Sequence, residues 1–326
     1  MSTTAQGPRT RAGLVSLVCG TLILVSKFVA WHMTGSSAVL SDALESVVNV
    51  VAAGFALWSL AIASRPADHD HPYGHGKVEF MSAAFEGGLI AFAAILIVYH
   101  AVGEMVRGPE LRSLDVGLAV TVAAGAANLG LGYWVLRQGR RLNSPTLVAD
   151  GQHVLSDVWT TVGVMTGLGL VRLTGVAWID PLTAILVGLW LLRVGAGLVK
   201  EAADALMDRE DPEILARVLA AYNQTPAVGL VALHRLRAVR YGASVHVDAH
   251  IAAPRHWSVA DSHAAVDGLE RKLREGGLDG EFAFHVDPCT SAECPGCDLH
   301  ECPIRGAAFV ARPTLSVDQA RGRLGR

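Results

Sequence analysis

Apolar residues dominate the first two thirds of the chain, where polar positions are few and widely spaced. A run of about 20 apolar residues is long enough to cross a bilayer as a helix. The pattern predicts six such helices joined by short loops, over approximately 13–34, 38–63, 80–104, 114–137, 145–172 and 177–200. We therefore expect an all-α membrane domain of six transmembrane helices over residues 13–207, after a short cytoplasmic arm, 1–12.

The pattern changes after the last span. A charged stretch begins at Asp208, and Pro212 stands where a helix begins. Period-3.6 and period-2 segments then follow in the order α-β-β-α-β, which predicts a small α+β domain over residues 208–288. The predicted elements are a helix at 213–223, strands at 229–239 and 243–252, a helix at 258–276 and a strand at 281–286. Residues 289–326 are predicted to be a cysteine-rich segment followed by a mobile C-terminal tail.

Composition supports a membrane protein. Charged residues make up 17% of the chain and hydrophobic residues 51%, whereas soluble domains carry about a quarter charged residues. The net charge of −3 provides no basic surface, so nucleic acid is not an expected partner. The first apolar run is too long for a cleavable signal. Lysine and arginine are biased to alternate loops, which predicts an integral protein of the bacterial inner membrane with both termini in the cytoplasm.

One polar pattern occurs twice inside the apolar sequence. Glu45 and Asn49 follow Asp42 at spacings of three and four, and His153 and Asp157 follow Asp150 in the same way. Offsets of three, four and seven place each set on one helix face. Carboxylate, amide and imidazole groups from two helices are a ligand set for a divalent cation.

The sequence therefore predicts an intramembrane metal site made of Glu45, Asn49, His153 and Asp157. The alternative is that these side chains only hydrogen-bond neighbouring helices. Two interpretations stay open for Asp42 and Asp150, which lie one turn earlier: a hydrated access path or structural hydrogen-bond acceptors.

A loop between the second and third spans carries a second ligand set, Asp68, His71 and His75. Pro72 and the nearby glycines allow the tight turns that folding around one ion requires. The alternative is a polar loop at the level of the lipid headgroups.

The α+β domain is rich in histidine. Residues 246, 248 and 250 share one face of a predicted strand. We expect bound metal in this domain, with a second ion at a subunit interface as a further option, against the alternative of solvated surface histidines. The candidate ligands are His234, His246, Asp248, His250, His263, His285 and Asp287.

The cysteine-rich segment offers a thiolate site with a Cys-x-x-Cys core. Cytoplasmic thiols are reduced, which favours metal binding over disulfides. A structural zinc site, a soft-metal sensor and an unmetallated tail all remain open. The candidate ligands are Cys289, Cys294, Cys297, His300 and Cys302.

Enzyme motifs are missing from the sequence. There is no Walker A motif and no His-Glu-x-x-His. We therefore expect a protein that is not an enzyme, that uses no organic cofactor, and that is driven by an ion gradient.

From about residue 13 to 290 the chain resembles the cation diffusion facilitator family. The resemblance rests on the two intramembrane polar pairs, on the loop His71-Pro-Tyr-Gly-His75-Gly-Lys77 and on the strand His285-Val-Asp287-Pro-Cys289. It implies six membrane helices, a ferredoxin-like, metallochaperone-like cytoplasmic domain, a homodimer, and export of a divalent metal in exchange for protons.

The resemblance also assigns sites by position. The transport site falls on the intramembrane quartet and the loop site on Asp68, His71 and His75. A charge pair between protomers falls on Lys77 and Asp208. The regulatory cytoplasmic ligands fall on His234, His250, His263, His285 and Asp287.

The second-span pair departs from the family pattern, which is usually Asp or His followed by Asp. Here Glu45 is followed by Asn49, and an amide cannot take up a proton. The expected substrate is Zn²⁺, with iron, cobalt or manganese as other options. The same metal is expected as regulatory ligand. The alternative function is a membrane-anchored metal sensor or scaffold that transports nothing, and import rather than export is a third reading.

Overall fold

The computed structural model describes residues 6–34, 37–107, 117–224 and 229–322. Within those ranges only the backbone is described at 6, 34, 37–42, 117–121, 164 and 168, so the side chain of Asp42 lies outside the described part. The chain divides into two compact units, Ser2–Met207 and Asp208–Arg326. This boundary coincides with the change in hydropathy after the sixth apolar run.

The first unit contains six long helices, which correspond to the six predicted spans. They are α1 Gln6–Thr34, α2 Ser37–Ala63, α3 Val78–Arg107, α4 Gly117–Arg141, α5 Pro145–Thr174 and α6 Ile179–Leu206. Five of them, all but α4, are long and apolar enough within the described residues to cross a membrane. The helix α4 is less hydrophobic because it contains several glycine and alanine residues and the polar Asn128.

Small residues set the spacing of the helices. A Cβ at Gly195 on α6 would lie 2.6 Å from the carbonyl oxygen of Gly87 on α3. A Cβ at Gly151 on α5 would lie 2.6 Å from the backbone nitrogen of Leu136 on α4. In a membrane, close backbone approach replaces the hydrophobic drive for helix association. These glycines therefore allow the α3–α6 and α4–α5 pairs to pack backbone to backbone.

The helix α5, which carries half of the quartet, has well-defined ends. Ser144 caps its N-terminus by accepting the N–H of Leu147, and Pro145 occupies the first turn. Gly175 ends the helix with φ of 73°, a left-handed conformation that glycine adopts readily.

The second unit is built from the predicted α-β-β-α-β order. Its elements are α7 Pro212–Gln224, β1 Ala232–Tyr241, β2 Ser244–Ala253, α8 Val259–Glu275 and β3 Gly280–Pro288. The sheet order is β1-β2-β3, with β1 antiparallel and β3 parallel to the central strand. The two helices pack on one sheet face around Leu215, Ile251 and Leu273, each no more than 1% exposed. The other face of β2 carries its polar residues.

A bulge interrupts β1. The register shifts between His234 and Arg237, and Arg235 has φ of 51°. An extra residue in one strand re-aims the side chains around it. Both His234 and Leu236 are consequently buried, at 6% and 2% exposure.

The C-terminal segment continues through a 3₁₀-helix, Ser291–Gly296, and a short helix α9, Val317–Arg321. The sequence predicted a mobile tail after about Ala307. In the structure, Asn223 of α7 exchanges two hydrogen bonds with the backbone of Leu315, at 3.0 and 3.1 Å. Ala320 is fully buried in the core of the sheet domain. The segment as far as Gly322 therefore makes specific contacts with this domain.

Candidate metal sites

The intramembrane polar residues come from α2 and α5, as predicted. Asn49 of α2 donates a side-chain hydrogen bond to Asp157 of α5. Glu45 lies one turn earlier on an exposed part of α2. The structure thus joins one residue from each copy of the repeated pattern across the two helices.

His153 is buried on α5, one turn before Asp157. It is 5% exposed, and both of its ring nitrogens lack a hydrogen-bond partner among the described residues. A buried polar group without a partner is destabilising and calls for an explanation. A metal ion on one ring nitrogen would satisfy the imidazole.

Sequence reasoning missed a buried cation near the quartet. Lys27 of α1 is 3% exposed and donates to the hydroxyl of Ser46, at 2.7 Å, between Glu45 and Asn49 in sequence. Ser46 and Asn49 line a small cavity of about 10 Å³. A single lysine inside an apolar run was the available signal, since intramembrane charges usually mark function.

Buried acids form a second polar region in the membrane unit. Asp150 is 1% exposed, and Ser16 of α1 is a polar side chain beside its carboxylate. Glu86 of α3, fully buried, interacts with it electrostatically. Glu79, two turns earlier on α3, accepts a hydrogen bond from Ser144. The spacing of seven between Glu79 and Glu86 on one helix face was the signal that could have found them.

The loop residues Asp68, His71 and His75 lie close together. The Asp68 carboxylate is 3.3 Å from Nδ1 of His71 and 3.3 Å from Nε2 of His75. One ligand atom from each of the three lies within 4.8 Å of the others. Gly74, with φ of 84°, provides the turn between the two histidines. This loop is therefore shaped to hold one ion with one oxygen and two nitrogen ligands.

Electrostatics favour ligation at the loop. The backbone N–H of His71 donates to Asp68 and, with the nearby histidines, lowers the pKa of that carboxyl against the opposing effect of burial. The side chain of His75 is only 10% exposed, and its Nδ1 has no hydrogen-bond partner among the described residues. An ionised carboxylate and a shielded imidazole are suited to a divalent cation.

Strand register builds the third group, on the sheet face opposite the helices. His234 of β1 pairs with His250 of β2, which pairs with His285 of β3, so three imidazoles form one row. Asp287, two residues further on β3, lies 3.2 Å from Nε2 of His234 and 2.9 Å from Nδ1 of His250. His234, His250 and Asp287 form the second described group with three ligand atoms within 4.8 Å of one another.

Burial and charge set the protonation of this group. Burial lowers the pKa of His234 and outweighs the opposing effect of Asp287. Burial also works against ionisation of Asp287, but the His250 hydrogen bond and the neighbouring imidazoles outweigh it and lower the pKa of this carboxyl. A neutral imidazole beside a carboxylate is the form that binds metal.

Other predicted ligands of the cytoplasmic domain lie apart from this group. His285 approaches Asp287 at 3.4 Å but is 67% exposed. His263 lies on α8, 75% exposed, where it pairs with Asp267 at 3.5 Å. His246 pairs with Glu281 at 3.5 Å and contacts the ring of Tyr241 at a tilt of 47°, and Asp248 is exposed on the same strand. Within one chain the structure therefore assembles His234, His250 and Asp287, with His285 at the edge.

The thiolate residues divide into two groups. All four cysteines of the C-terminal segment line one cavity, whereas His300 is exposed and is not among its lining residues. Burial raises the pKa of the Cys289 thiol.

The predicted charge pair lies at the ends of two helices. Lys77 immediately precedes α3, and Asp208, with φ of 59°, follows α6. Their pairing between protomers stays a prediction.

Comparison with known proteins identifies the family. Residues 13–207 match the family model for the cation efflux transmembrane domain, and residues 211–289 match that for the cytoplasmic domain of cation efflux proteins. The chain belongs to the cation diffusion facilitator family. The resemblance stated from the polar pairs, the loop and the last strand is thereby confirmed, as is the fold of a helical membrane domain followed by a small cytoplasmic domain.

Relatives cover most of the chain. It is 38% identical over 264 residues to an uncharacterized transporter of Synechocystis sp., which is 80% of this chain and 84% of the relative. It is 28% identical over 281 residues to the cation-efflux pump FieF of Shewanella oneidensis, covering 85% and 93%. The manganese efflux system protein MneS of Bacillus subtilis is 26% identical over 278 residues, covering 84% and 94%. This protein is thus an integral membrane transporter of the cation efflux family.

Proposed function

We propose that this protein exports a divalent metal cation, with zinc as the first candidate, from the cytoplasm in exchange for protons. Glu45, Asn49, His153 and Asp157 are the proposed transport ligands. The proposal places the protein in the bacterial inner membrane with both termini in the cytoplasm, as a homodimer. The metal groups of the loop and the sheet are accessory sites.

The observation that carries the proposal is the contact between α2 and α5. Asn49 and Asp157 meet across the two helices, and the imidazole of His153, one turn earlier on α5, has no hydrogen-bond partner among the described residues. Helix–helix packing alone explains the amide–carboxylate contact but not the unpartnered imidazole. A metal ion bound to a ring nitrogen would satisfy the imidazole.

Charge balance connects the metal to protons. Two carboxylates, Glu45 and Asp157, give the quartet a charge that one divalent cation or two protons neutralise. Charged groups are costly in the bilayer, so the site favours one of these two neutral states. Metal binding therefore releases protons, and protonation releases metal. An inward proton gradient can drive this exchange, with the membrane potential contributing about 2.3 kcal/mol per charge per 100 mV.

The ligand set bears on the choice of metal. One imidazole with oxygen ligands suits zinc and also manganese, iron(II) and cobalt(II). The name of the MneS relative specifies manganese, and that of FieF specifies only a cation. Zinc remains first because imidazole and carboxylate together form common tetrahedral zinc sites.

The cytoplasmic group supports a regulatory role. His234, His250 and Asp287 are assembled on a rigid sheet outside the membrane. We infer that they bind metal when its cytoplasmic concentration rises, which shifts the dimer toward the state that transports.

The test is metal flux into or out of liposomes that contain the purified protein. Flux of Zn²⁺, Mn²⁺, Co²⁺ and Fe²⁺ is followed with fluorescent indicators under an imposed pH gradient. We expect gradient-dependent flux of at least one metal in the wild type and no flux above empty liposomes with Asp157→Ala.

A matched control is Glu201→Gln, which removes an exposed carboxylate from the end of α6. It should transport like the wild type. Elution volume and thermal unfolding show whether Asp157→Ala remains folded. Unchanged flux in the folded Asp157→Ala protein would contradict the proposal.

A second candidate function is a metal sensor that transports nothing. It is favoured by one observation: the described groups that hold three ligand atoms within 4.8 Å lie in the loop and on the sheet, and the quartet is not among them. Metal binding by the wild type without flux of any tested cation would favour the sensor.

A further inference from the structure

The four cysteines of the C-terminal segment converge although 13 sequence positions separate the first from the last. Cys289 follows β3, and its N–H extends the sheet by donating to the carbonyl of Ala253, at 2.8 Å. Cys294 lies in the 3₁₀-helix, Cys297 ends it, and Cys302 follows in the next turn. All four line one cavity of about 20 Å³, which has room for a single water-sized particle.

Backbone N–H groups point at the sulfur atoms. Gly306 donates to Sγ of Cys294, at 3.3 Å, and Arg255 donates to Sγ of Cys289. A neutral thiol is a weak acceptor, whereas a thiolate is stabilised by such donors. Hydrogen bonds from the backbone to sulfur are a recurring outer layer of metal–thiolate sites. Simple packing of cysteines in an apolar core does not call for them.

Arg305 holds the loop that presents the cysteines. Its guanidinium donates to the carbonyls of Cys294 and Cys297, at 3.3 and 3.2 Å, and to that of Leu299. The same residue lines the cavity, as does Arg255. Glu293 lines it too, so the two arginines leave one net positive charge, which offsets half of the charge of −2 that a tetrathiolate site carries with a divalent ion.

We propose that Cys289, Cys294, Cys297 and Cys302 bind one divalent cation of the zinc class in a tetrahedral thiolate site. The bound ion ties the C-terminal segment to the end of the sheet. Thiolates select zinc-like cations over hard ions such as Mn²⁺ or Mg²⁺. His300, which is exposed and outside the cavity lining, is not a ligand.

Three of the four ligands, Cys294, Cys297 and Cys302, lie beyond the part of the chain that matches the family, which ends at Cys289. Its sulfur atoms are less tightly gathered than the loop and sheet ligands, since no three of these described thiols come within 4.8 Å of one another. Zn–S bonds of about 2.3 Å place neighbouring sulfurs about 3.8 Å apart in a tetrahedron. Binding of the ion therefore draws the four sulfur atoms together. It also fixes the end of β3, because the ligand Cys289 is only two residues after Asp287.

Cobalt(II) is the probe for the first experiment, because sulfur-to-cobalt charge transfer reports thiolate ligands and is silent for oxygen and nitrogen ligands. The full-length, reduced protein is titrated in detergent without oxygen. We expect the charge-transfer band to saturate at one equivalent bound to this site, and Zn²⁺ but not Mn²⁺ to abolish it.

Variants assign the signal. Cys294→Ser with Cys297→Ser should lose the band, whereas Cys19→Ser, which removes the membrane thiol of α1, should keep it. Cys302→His keeps a metal ligand and should retain stoichiometric binding with about a quarter less charge-transfer intensity. This third variant guards against loss of signal through misfolding.

Proteolysis tests the structural consequence. Chelation of the ion should speed tryptic cleavage between Arg305 and Gly306 in the wild type but not in the double serine variant. The proposal is overturned if the fully reduced wild type shows no charge-transfer band, if the double variant retains it, or if chelation leaves cleavage unchanged. Asp157→Ala should keep the band, so the outcome is separable from that of the transport assay.

Discussion

The membrane quartet and the sheet group contain similar ligands but are organised differently. On the sheet, His234, His250 and Asp287 already lie within 4.8 Å of one another. In the membrane, Asp157 is occupied by the amide of Asn49, and Glu45 lies on an exposed part of α2. One group is assembled before metal arrives, and the other needs its helices or side chains to move.

The difference follows from what positions each set. Paired strands are locked by backbone hydrogen bonds, and a one-residue slip would turn every side chain to the other face. Helices α2 and α5 are independent rods that pack through side chains. A transport site must bind and then release its ion, so incomplete assembly suits it. A regulatory site that only reads concentration can be rigid.

The largest expected effect is on the membrane site. His153→Ala removes the buried imidazole, and we expect zinc flux in liposomes to fall by at least about 100-fold, because even the residues that orient ligands typically contribute 10–100-fold. His263→Ala, which removes an exposed histidine from α8, should leave flux within about twofold. Equal losses of zinc flux in the two variants would show that His153 contributes no more to transport than an exposed histidine of α8.

The sheet group should respond in affinity. In a background that lacks Asp68, Asp157, Cys294 and Cys297, Asp287→Ala should weaken zinc binding to the cytoplasmic domain by about 10–100-fold in calorimetric titration, because it removes the oxygen shared by His234 and His250. Asp248→Asn on the same strand should bind as before. Weakening by Asp248→Asn alone would mean that the ligand set extends along β2.

Helix packing in the membrane unit should respond less strongly. Gly151→Ala places a Cβ 2.6 Å from the backbone of Leu136, so α4 and α5 must separate, at a cost of about 1–3 kcal/mol in unfolding free energy. Gly169→Ala on the same helix meets no atom within 4 Å and should be neutral or gain up to about 1 kcal/mol. Thermal unfolding of both variants checks this. If Gly169→Ala were the more damaging change, close approach of α4 and α5 would not position the site.

The smallest effect concerns acid stability of the sheet domain. Asp211 accepts the N–H groups of Glu213 and Ile214 and pairs with Arg240. Burial opposes its ionisation, but these partners outweigh burial and lower its pKa. The stabilisation is therefore present above the unfolded-state pKa of about 3.9 and is lost as the pH falls through the lower folded-state value.

Asp211→Asn should accordingly destabilise α7 by about 0.5–1 kcal/mol at neutral pH, because asparagine still caps the helix but loses the charge that pairs with Arg240, and by less below about pH 4. Hydrogen exchange of the α7 amides, with wild type and variant compared at each pH, measures the difference. The exposed Asp279→Asn serves as the reference. A difference that grows in acid would contradict the sign of the lowered pKa.

The order of helices and strands could be predicted from the sequence because the hydrophobic residues of each element recur with the period of a helix or a strand. Six apolar runs, two alternating strands and the amphipathic α8 could be identified locally. The buried charges of α3 and Lys27 were not identified, since a single polar residue in an apolar run does not show whether it faces lipid, solvent or a neighbouring helix. The contacts of α9 were also missed, because a five-residue helix is defined by what it packs on.

By itself the sequence determined the two-part architecture and the candidate ligands, since hydropathy and the three-then-four spacing are local properties. Tertiary structure decided which ligands meet. Strand pairing brought His234 and His250 to Asp287 and left His263 apart, and the crossing of α2 and α5 joined Asn49 to Asp157. Spacing along one element fixes a face, but only the packing of elements against each other fixes the distance between two faces.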